Sequence, residues 1–337
     1  MKKIFIIILF LFYEIIQVFN LVFSYKLNFN RKNKYLFSNI KSFKMNDNKI
    51  KHLVLSGGGQ AGFTIYGTLI ELMEKKWFDI NDIESIYSTS AGSFVSVMIS
   101  LPISNNMLID YFMKRPWESV FPINPSMIFN VYSKKGLYDG NFINEIFKPI
   151  FGACDISTDI TLAEFYELTK IEHHFFTVDI NTFEIVNISY KNYPHLKLLK
   201  VINMTCAIPY LFQPVFFENK CLVDGGVINN FPLSNCLRET KCLDSEVLGI
   251  KTVNKNEENP NINENSTLLD YTSCLLYHIR KNIQEDNKQN NVKVIVLPFE
   301  GIRLSSLREV IYSEEKRKEL FEKGINIAKN HIKDLKL

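Results

Sequence analysis

Three short segments carry residues whose types and spacing suit chemistry. The first is Ser56-Gly57-Gly58-Gly59-Gln60-Ala61-Gly62. Glycines lack a Cβ, so their N–H groups can approach a ligand closely, and a helix starting there adds a field that favours negative charge. Gly57, Gly59 and Gly62 also fit the G-x-G-x-x-G pattern of a dinucleotide-binding turn. That alternative expects an acidic residue at the end of the next strand. The chain instead offers Tyr87-Ser88-Thr89-Ser90 there, and Asp79, Asp82 and Glu84 come too early. The second segment is Ser88-Thr89-Ser90-Ala91-Gly92. A serine nucleophile needs its hydroxyl pushed out of a sharp strand-to-helix turn between small neighbours, usually as G-x-S-x-G. Here Ser88 replaces the first Gly, while Gly92 is kept; three successive hydroxyl residues equally suit a helix N-cap. The third segment, Asp224-Gly225-Gly226, either aims a carboxylate from a strand end or makes a plain hairpin turn.

A serine nucleophile needs a base, and His is the usual one. The six histidines fit poorly. His52, His173 and His174 begin or adjoin strand-like runs, His195 follows a proline, His278 is mid-helix and His331 lies near the C-terminus. A two-residue Ser-Asp site fits better.

The elements that must position these segments follow from periodicity. His52–Leu55 is a short apolar run closed by glycines, as in a buried parallel strand. From Gly62 to Lys75, Phe63, Tyr66, Leu69, Ile70 and Met73 recur at helical spacing. A second strand over Ile83–Tyr87 and a second helix over Ala91–Leu101 complete an α/β opening with a parallel sheet. Pro102–Asp159 is rich in aromatics and prolines and weakly periodic. Strands are expected at His174–Asp179, Glu184–Ser189, Val215–Glu218, Cys221–Val223, Val247–Thr252 and Val292–Leu297. Helices are expected over Leu196–Cys206 and from Leu268 to about Asp286, with a closing helix capped by Ser313.

The 337 residues, 46% hydrophobic and 22% charged, suffice for a packed core without staples. A net charge of +3 is too weak for a dedicated nucleic-acid binder. Six scattered cysteines without a CxxC pair read as reduced thiols. The sequons at Asn187, Asn203 and Asn265 are poor glycosylation sites where they fall in a strand-like or apolar run. Met1-Lys2-Lys3 followed by the apolar run Ile4–Tyr13 reads as a signal peptide or membrane anchor over residues 1–25, although Glu14 interrupts it; otherwise the protein is cytoplasmic. Residues 26–50 form a polar, basic linker, 51–300 the main domain and 301–337 a C-terminal helical extension.

Taken in order, the three segments resemble the patatin-like phospholipase family. Further similarity lies in Gly136-Leu137-Tyr138-Asp139-Gly140, in Ala207–Pro214 and in Val227–Pro232. The resemblance covers roughly His52 to Leu297. It implies a three-layer α/β/α fold with a mostly parallel central sheet, and a lipid acyl hydrolase of phospholipase A or lysophospholipase type. Ser90 would be the nucleophile, Asp224 the base, and the N–H groups of Gly57, Gly58 and Gly59 the oxyanion hole, with Gly62, Gly92, Gly225 and Gly226 shaping the turns. No metal or other cofactor is required, and the expected partner is a phospholipid or other lipid ester at a membrane surface. A neutral-lipid lipase or acyltransferase is the near alternative. The chain departs from the family at Ser88, and at Ala61, where many members carry Arg or Lys.

Overall fold

Leu53, Val54 and Leu55 are completely buried, and they face opposite ways. Leu53 and Leu55 join Ile86 and Phe175 in a large core on one side of the sheet, whereas Val54 joins Tyr87, Phe176, Leu233 and Cys236 in a smaller core on the other. That is the pattern of strands covered on both faces, which read as continuous apolar runs.

The computed structural model describes residues 49–122, 127–254, 262–283, 291–301 and 304–334. The expected signal or anchor segment and nearly all of the linker lie outside them. In chain order the elements are β1 (His52–Leu55), α1 (Gly62–Glu74), β2 (Ser85–Thr89), α2 (Ala91–Ser100), α3 (Asn105–Lys114), α4 (Ile128–Lys134) and β3 (Gly136–Tyr138). Next come α5 (Asn141–Ala153), α6 (Leu162–Thr169), β4 (Glu172–Asp179), β5 (Glu184–Ile188), α7 (Leu198–Thr205), β6 (Tyr210–Phe212), β7 (Val215–Phe217) and β8 (Lys220–Asp224). The chain continues through α8 (Leu233–Thr240), β9 (Val247–Asn254), α9 (Leu268–Ile283), β10 (Lys293–Phe299), α10 (Leu304–Tyr312) and α11 (Glu314–Asp334).

The main sheet runs β10-β9-β1-β2-β4-β8-β7, with β5 paired to β4. The pairs from β10 to β4 are parallel, and β5, β7 and β8 add antiparallel pairs. A separate two-stranded ribbon pairs β3 with β6. The fold is therefore α/β, a mostly parallel central sheet flanked by helices, as expected.

Two differences from the sequence reading have local causes. The weakly periodic middle contains α3, α4 and α5. In α5, Phe142, Ile143, Ile146, Phe147, Ile150 and Phe151 make one buried face, and Pro149 sits on the opposite, exposed side. The second concerns the C-terminal extension. Lys316 N–H donates to Ser313 Oγ at 3.1 Å, the cap read from the sequence, but α11 is built into the core. Its Phe321 ring lies 5.6 Å from that of Tyr66, and Thr68 Oγ donates to the Gly324 carbonyl across the two helices. Buried Arg317 donates to the carbonyls of Met113 and Val310.

Candidate active site

Ser90 stands between β2 and α2 with φ of 52° and ψ of −124°. A non-glycine residue at positive φ is strained by about 1–3 kcal/mol and persists only where its surroundings hold it. The holding contacts are specific. Ser90 N–H donates to Thr205 Oγ1 at 3.0 Å, and that hydroxyl donates onward to the Phe176 carbonyl at 2.6 Å. Ser90 occupies the N-cap position of α2, but its side chain accepts no bond from the helix, so its hydroxyl is not spent on capping.

Strand β4 brings Asp224 to the same place. Phe176 pairs with Thr89 on β2, and the next residue, Thr177, pairs with Asp224 on β8. Two strands from distant parts of the chain thus end on consecutive residues of a third. Thr177 Oγ1 adds a bond to the Val223 carbonyl at 2.5 Å. A Cβ at Gly225 would lie 3.0 Å from Thr89 Cγ2, so the Asp224-Gly225 turn packs directly on the residue before Ser90. Asp224 makes no hairpin; it opens a 3-10 turn over Gly225–Val227, its Oδ1 accepting from Gly226 N–H at 2.7 Å. Ser90 and Asp224 are 5% and 4% exposed, so the pair is shielded from water by the fold itself.

The glycine loop lies against both. A Cβ at Gly57 would come within 2.6 Å of Asn230 Oδ1 and 2.9 Å of Ser90 Cβ, so any side chain there must push one of them aside. Gly57 is locked on both sides. Its N–H donates to the Asn230 carbonyl at 3.1 Å, and its carbonyl accepts from Asn230 Nδ2 and Thr252 Oγ1. Its N–H, expected among the oxyanion donors, is therefore already engaged. Gly58 and Gly59 donate to no protein acceptor among the described residues, and they lead through a 3-10 turn into the N-terminus of α1. Gly62 faces Ala91, and Gly92 packs against the Leu55 and Ser56 carbonyls.

A cavity of about 230 Å³ opens beside these groups, lined by Gly59, Ser90 and a large apolar set that includes Phe94, Met98, Trp117 and Ile146. Cys206 lines it too; burial, and then the charge of Asp224, push its thiol well above the ordinary range. None of the six histidines lines it. His52 bonds Ser85 at the start of β2, and His174 stacks on Tyr87 and contacts Glu172, away from the strand end that carries Ser90. None of the six cysteines forms a disulfide. Sequence reasoning missed Thr205 and gave Asn230 only as part of the Val227–Pro232 segment, without a role; both touch the site because α7 and the loop after β8 fold back onto it.

A buried serine at a strained strand-to-helix turn, an aspartate at the end of a nearby strand and a glycine loop thus meet on one mostly parallel α/β sheet. The Patatin-like phospholipase family model matches residues 53–237, and the chain belongs to that family. It is 26% identical over 204 residues to the probable lipid hydrolase 463L of Invertebrate iridescent virus 6, covering 60% of this chain and 68% of that one. Uncharacterized protein R571 of Acanthamoeba polyphaga mimivirus is 25% identical over 193 residues, 57% of this chain and 63% of its own length, so this chain spans slightly less than two thirds of it. Among solved structures, VipD from Legionella pneumophila is similar at a TM-score of 0.45 and 18% identity, with 84% of this chain and 66% of VipD covered. The type III effector ExoU is similar at 0.43 and 11%, with 85% of this chain and 53% of ExoU covered.

Proposed function

We propose that the protein hydrolyses acyl esters of membrane lipids, as a phospholipase A or lysophospholipase, through a Ser90–Asp224 dyad. The observation that carries this reading is the pairing of β4, which sets Thr89 and Asp224 opposite the consecutive residues Phe176 and Thr177, while Ser90, next to Thr89, lines an apolar cavity. Asp224 takes the proton of Ser90 Oγ as that oxygen attacks the ester carbonyl. The negative charge on the tetrahedral oxygen is met by the N–H groups of Gly58 and Gly59 at the head of α1; one such donor is worth on the order of 3 kcal/mol of barrier. Collapse expels the alcohol, which takes the proton from Asp224, and leaves the acyl group on Ser90. Water, deprotonated by the same carboxylate, then attacks the acyl carbonyl, and collapse breaks its bond to Ser90 Oγ, which regains the proton from Asp224 as the fatty acid leaves. The apolar cavity suits the acyl chain. Gly57 shapes the loop, since its own N–H is bound to Asn230.

The test uses a fluorophosphonate probe and phosphatidylcholine vesicles. Wild-type protein is labelled at Ser90 and releases fatty acid. Ser90→Ala loses both, and Asp224→Asn loses at least a hundredfold in release. Undiminished release by either variant rejects the dyad.

A further inference from the structure

The lipid-ester reading leaves open how a buried serine meets a substrate that resides in a bilayer. One face of the molecule answers the physical requirements. Phe129 and Tyr132 on α4 are 76% and 55% exposed, and Phe216 on β7 is 63% exposed. Tyr210, also exposed, pairs with Gly136 in the ribbon of β3 and β6 against which α4 packs. Lys135, the residue that ends α4, holds its Nζ 6.0 Å above the Phe216 ring, so the helix and the β7 edge belong to one patch. Lys134 and Lys135 are both exposed within it. Exposed rings gathered in one patch, rather than scattered singly, mark surfaces that meet a partner or a membrane.

The patch is continuous with the candidate site. Tyr138 and Phe212, paired across the ribbon, are partly exposed and also line the Ser90 cavity. Aromatic rings interleaved with lysines match the headgroup boundary, where rings enter the acyl region and ammonium groups stay with lipid phosphates. Basic side chains next to anionic lipid add about 1 kcal/mol each.

We propose that the face formed by Phe129, Tyr132, Lys134, Lys135, Tyr210 and Phe216 docks onto an anionic lipid bilayer, setting the cavity wall against the membrane. This rests on the lipid-ester reading for its purpose, but binding can be measured without hydrolysis. The chain also carries the apolar run Ile4–Tyr13, so each variant is compared with the wild type over the same residues. The experiment is co-sedimentation with phosphatidylcholine vesicles, with and without phosphatidylserine, for Phe129→Ser/Phe216→Ser and for Lys134→Glu/Lys135→Glu. Fluorophosphonate labelling and turnover of a water-soluble short-chain ester serve as controls for the intact site.

The aromatic variant is expected to bind both kinds of vesicle at least tenfold more weakly and to lose vesicle hydrolysis in proportion, with labelling and soluble turnover kept. The lysine variant is expected to lose binding on phosphatidylserine vesicles, and that loss should shrink at high salt. Wild-type binding in both variants overturns the proposal. So does loss of a dimer, seen by sedimentation, as the only change in the aromatic variant, because the patch would then serve a second copy. A wild type that binds vesicles through this face yet neither labels nor turns over ester would leave the docking surface standing and reject the lipid-ester reading alone.

Discussion

Replacing Thr205 with valine tests whether the strained conformation of Ser90 is held from outside. The side chain keeps its shape and loses only the hydroxyl, which accepts from Ser90 N–H at 3.0 Å and donates to the Phe176 carbonyl at 2.6 Å. Thr205 is fully buried, so water cannot take over either role. A buried polar group left without its partner costs about 1–3 kcal/mol, and the strain at Ser90 is of the same size. The elbow therefore relaxes in part rather than bearing both costs. The expected stability loss is about 2 kcal/mol by denaturant titration. The expected fall in kcat is about tenfold to a hundredfold, with KM nearly constant, because a displaced nucleophile affects the reacting geometry more than acyl binding. Fluorophosphonate labelling should slow in parallel. Thr205→Ser keeps the hydroxyl and should recover kcat to within about threefold of wild type. Wild-type kcat in Thr205→Val refutes the reasoning. So does an equal loss in Thr205→Ser, which would make the methyl group the important part.

Gly57→Ala should lower kcat by at least about tenfold, since the new Cβ must displace Asn230 Oδ1 or Ser90 Cβ; full activity in a vesicle assay would show that the loop has slack. His173 is buried, and that burial pushes its pKa down to about 3. The unfolded chain binds a proton there below about pH 6.5 and the folded protein does not, so stability is complete above that pH and falls by about 1 kcal/mol per unit down to about pH 3. His173→Phe should flatten that slope in denaturant titrations run between these limits, and an unchanged slope would assign acid sensitivity to other groups. Arg308 on α10 is the one charged side chain among the described residues lining the Ser90 cavity. Arg308→Ala should raise KM for lysophosphatidic acid several-fold and leave monoacylglycerol unaffected; equal effects on the two would deny it a role with phosphate.

The legible parts of the site were those that depend on a residue's own backbone. Glycine loops, a small-residue elbow and Asp-Gly-Gly announce sharp turns because few residues adopt them, and all three segments fall where the strands end. Their mutual arrangement was not legible from spacing. It depends on β4, whose register sets Thr89 and Asp224 on neighbouring residues, and a strand's register is invisible in its own sequence. Thr205 was hidden for the same reason, being an unremarked threonine at the end of an apolar helix. Gln60 was hidden too. Its Nε2 donates to the Gly301 carbonyl at 2.6 Å, tying the glycine loop to a residue 241 positions later. In α5, Pro149 masked a regular apolar stripe, because a proline on the exposed side still breaks the pattern that sequence reading relies on.

The two departures from the family pattern differ in kind once their surroundings are known. Ser88 is fully buried on β2, and its Oγ lies 3.5 Å from Ser96 Oγ and 3.4 Å from the His174 carbonyl. The elbow thus has room and polar neighbours for a hydroxymethyl group at this position. It has none at Gly92, where a Cβ would come within 2.6 Å of the Leu55 carbonyl. Of the two elbow glycines, only the second is required by this backbone. Ala61 is different, because it is buried at 1% exposure and puts no cation at this place in the loop. In the proposed mechanism the positive influence on a developing oxyanion then comes from the backbone, through Gly58, Gly59 and the N-terminus of α1. Such donors are fixed in place, so in the proposed mechanism they meet charge at the carbonyl without reorganising. On the cavity lining Arg308 on α10 is the one charged side chain among the described residues, so Arg308→Ala is the variant that tests whether a head-group phosphate is met there rather than at the loop.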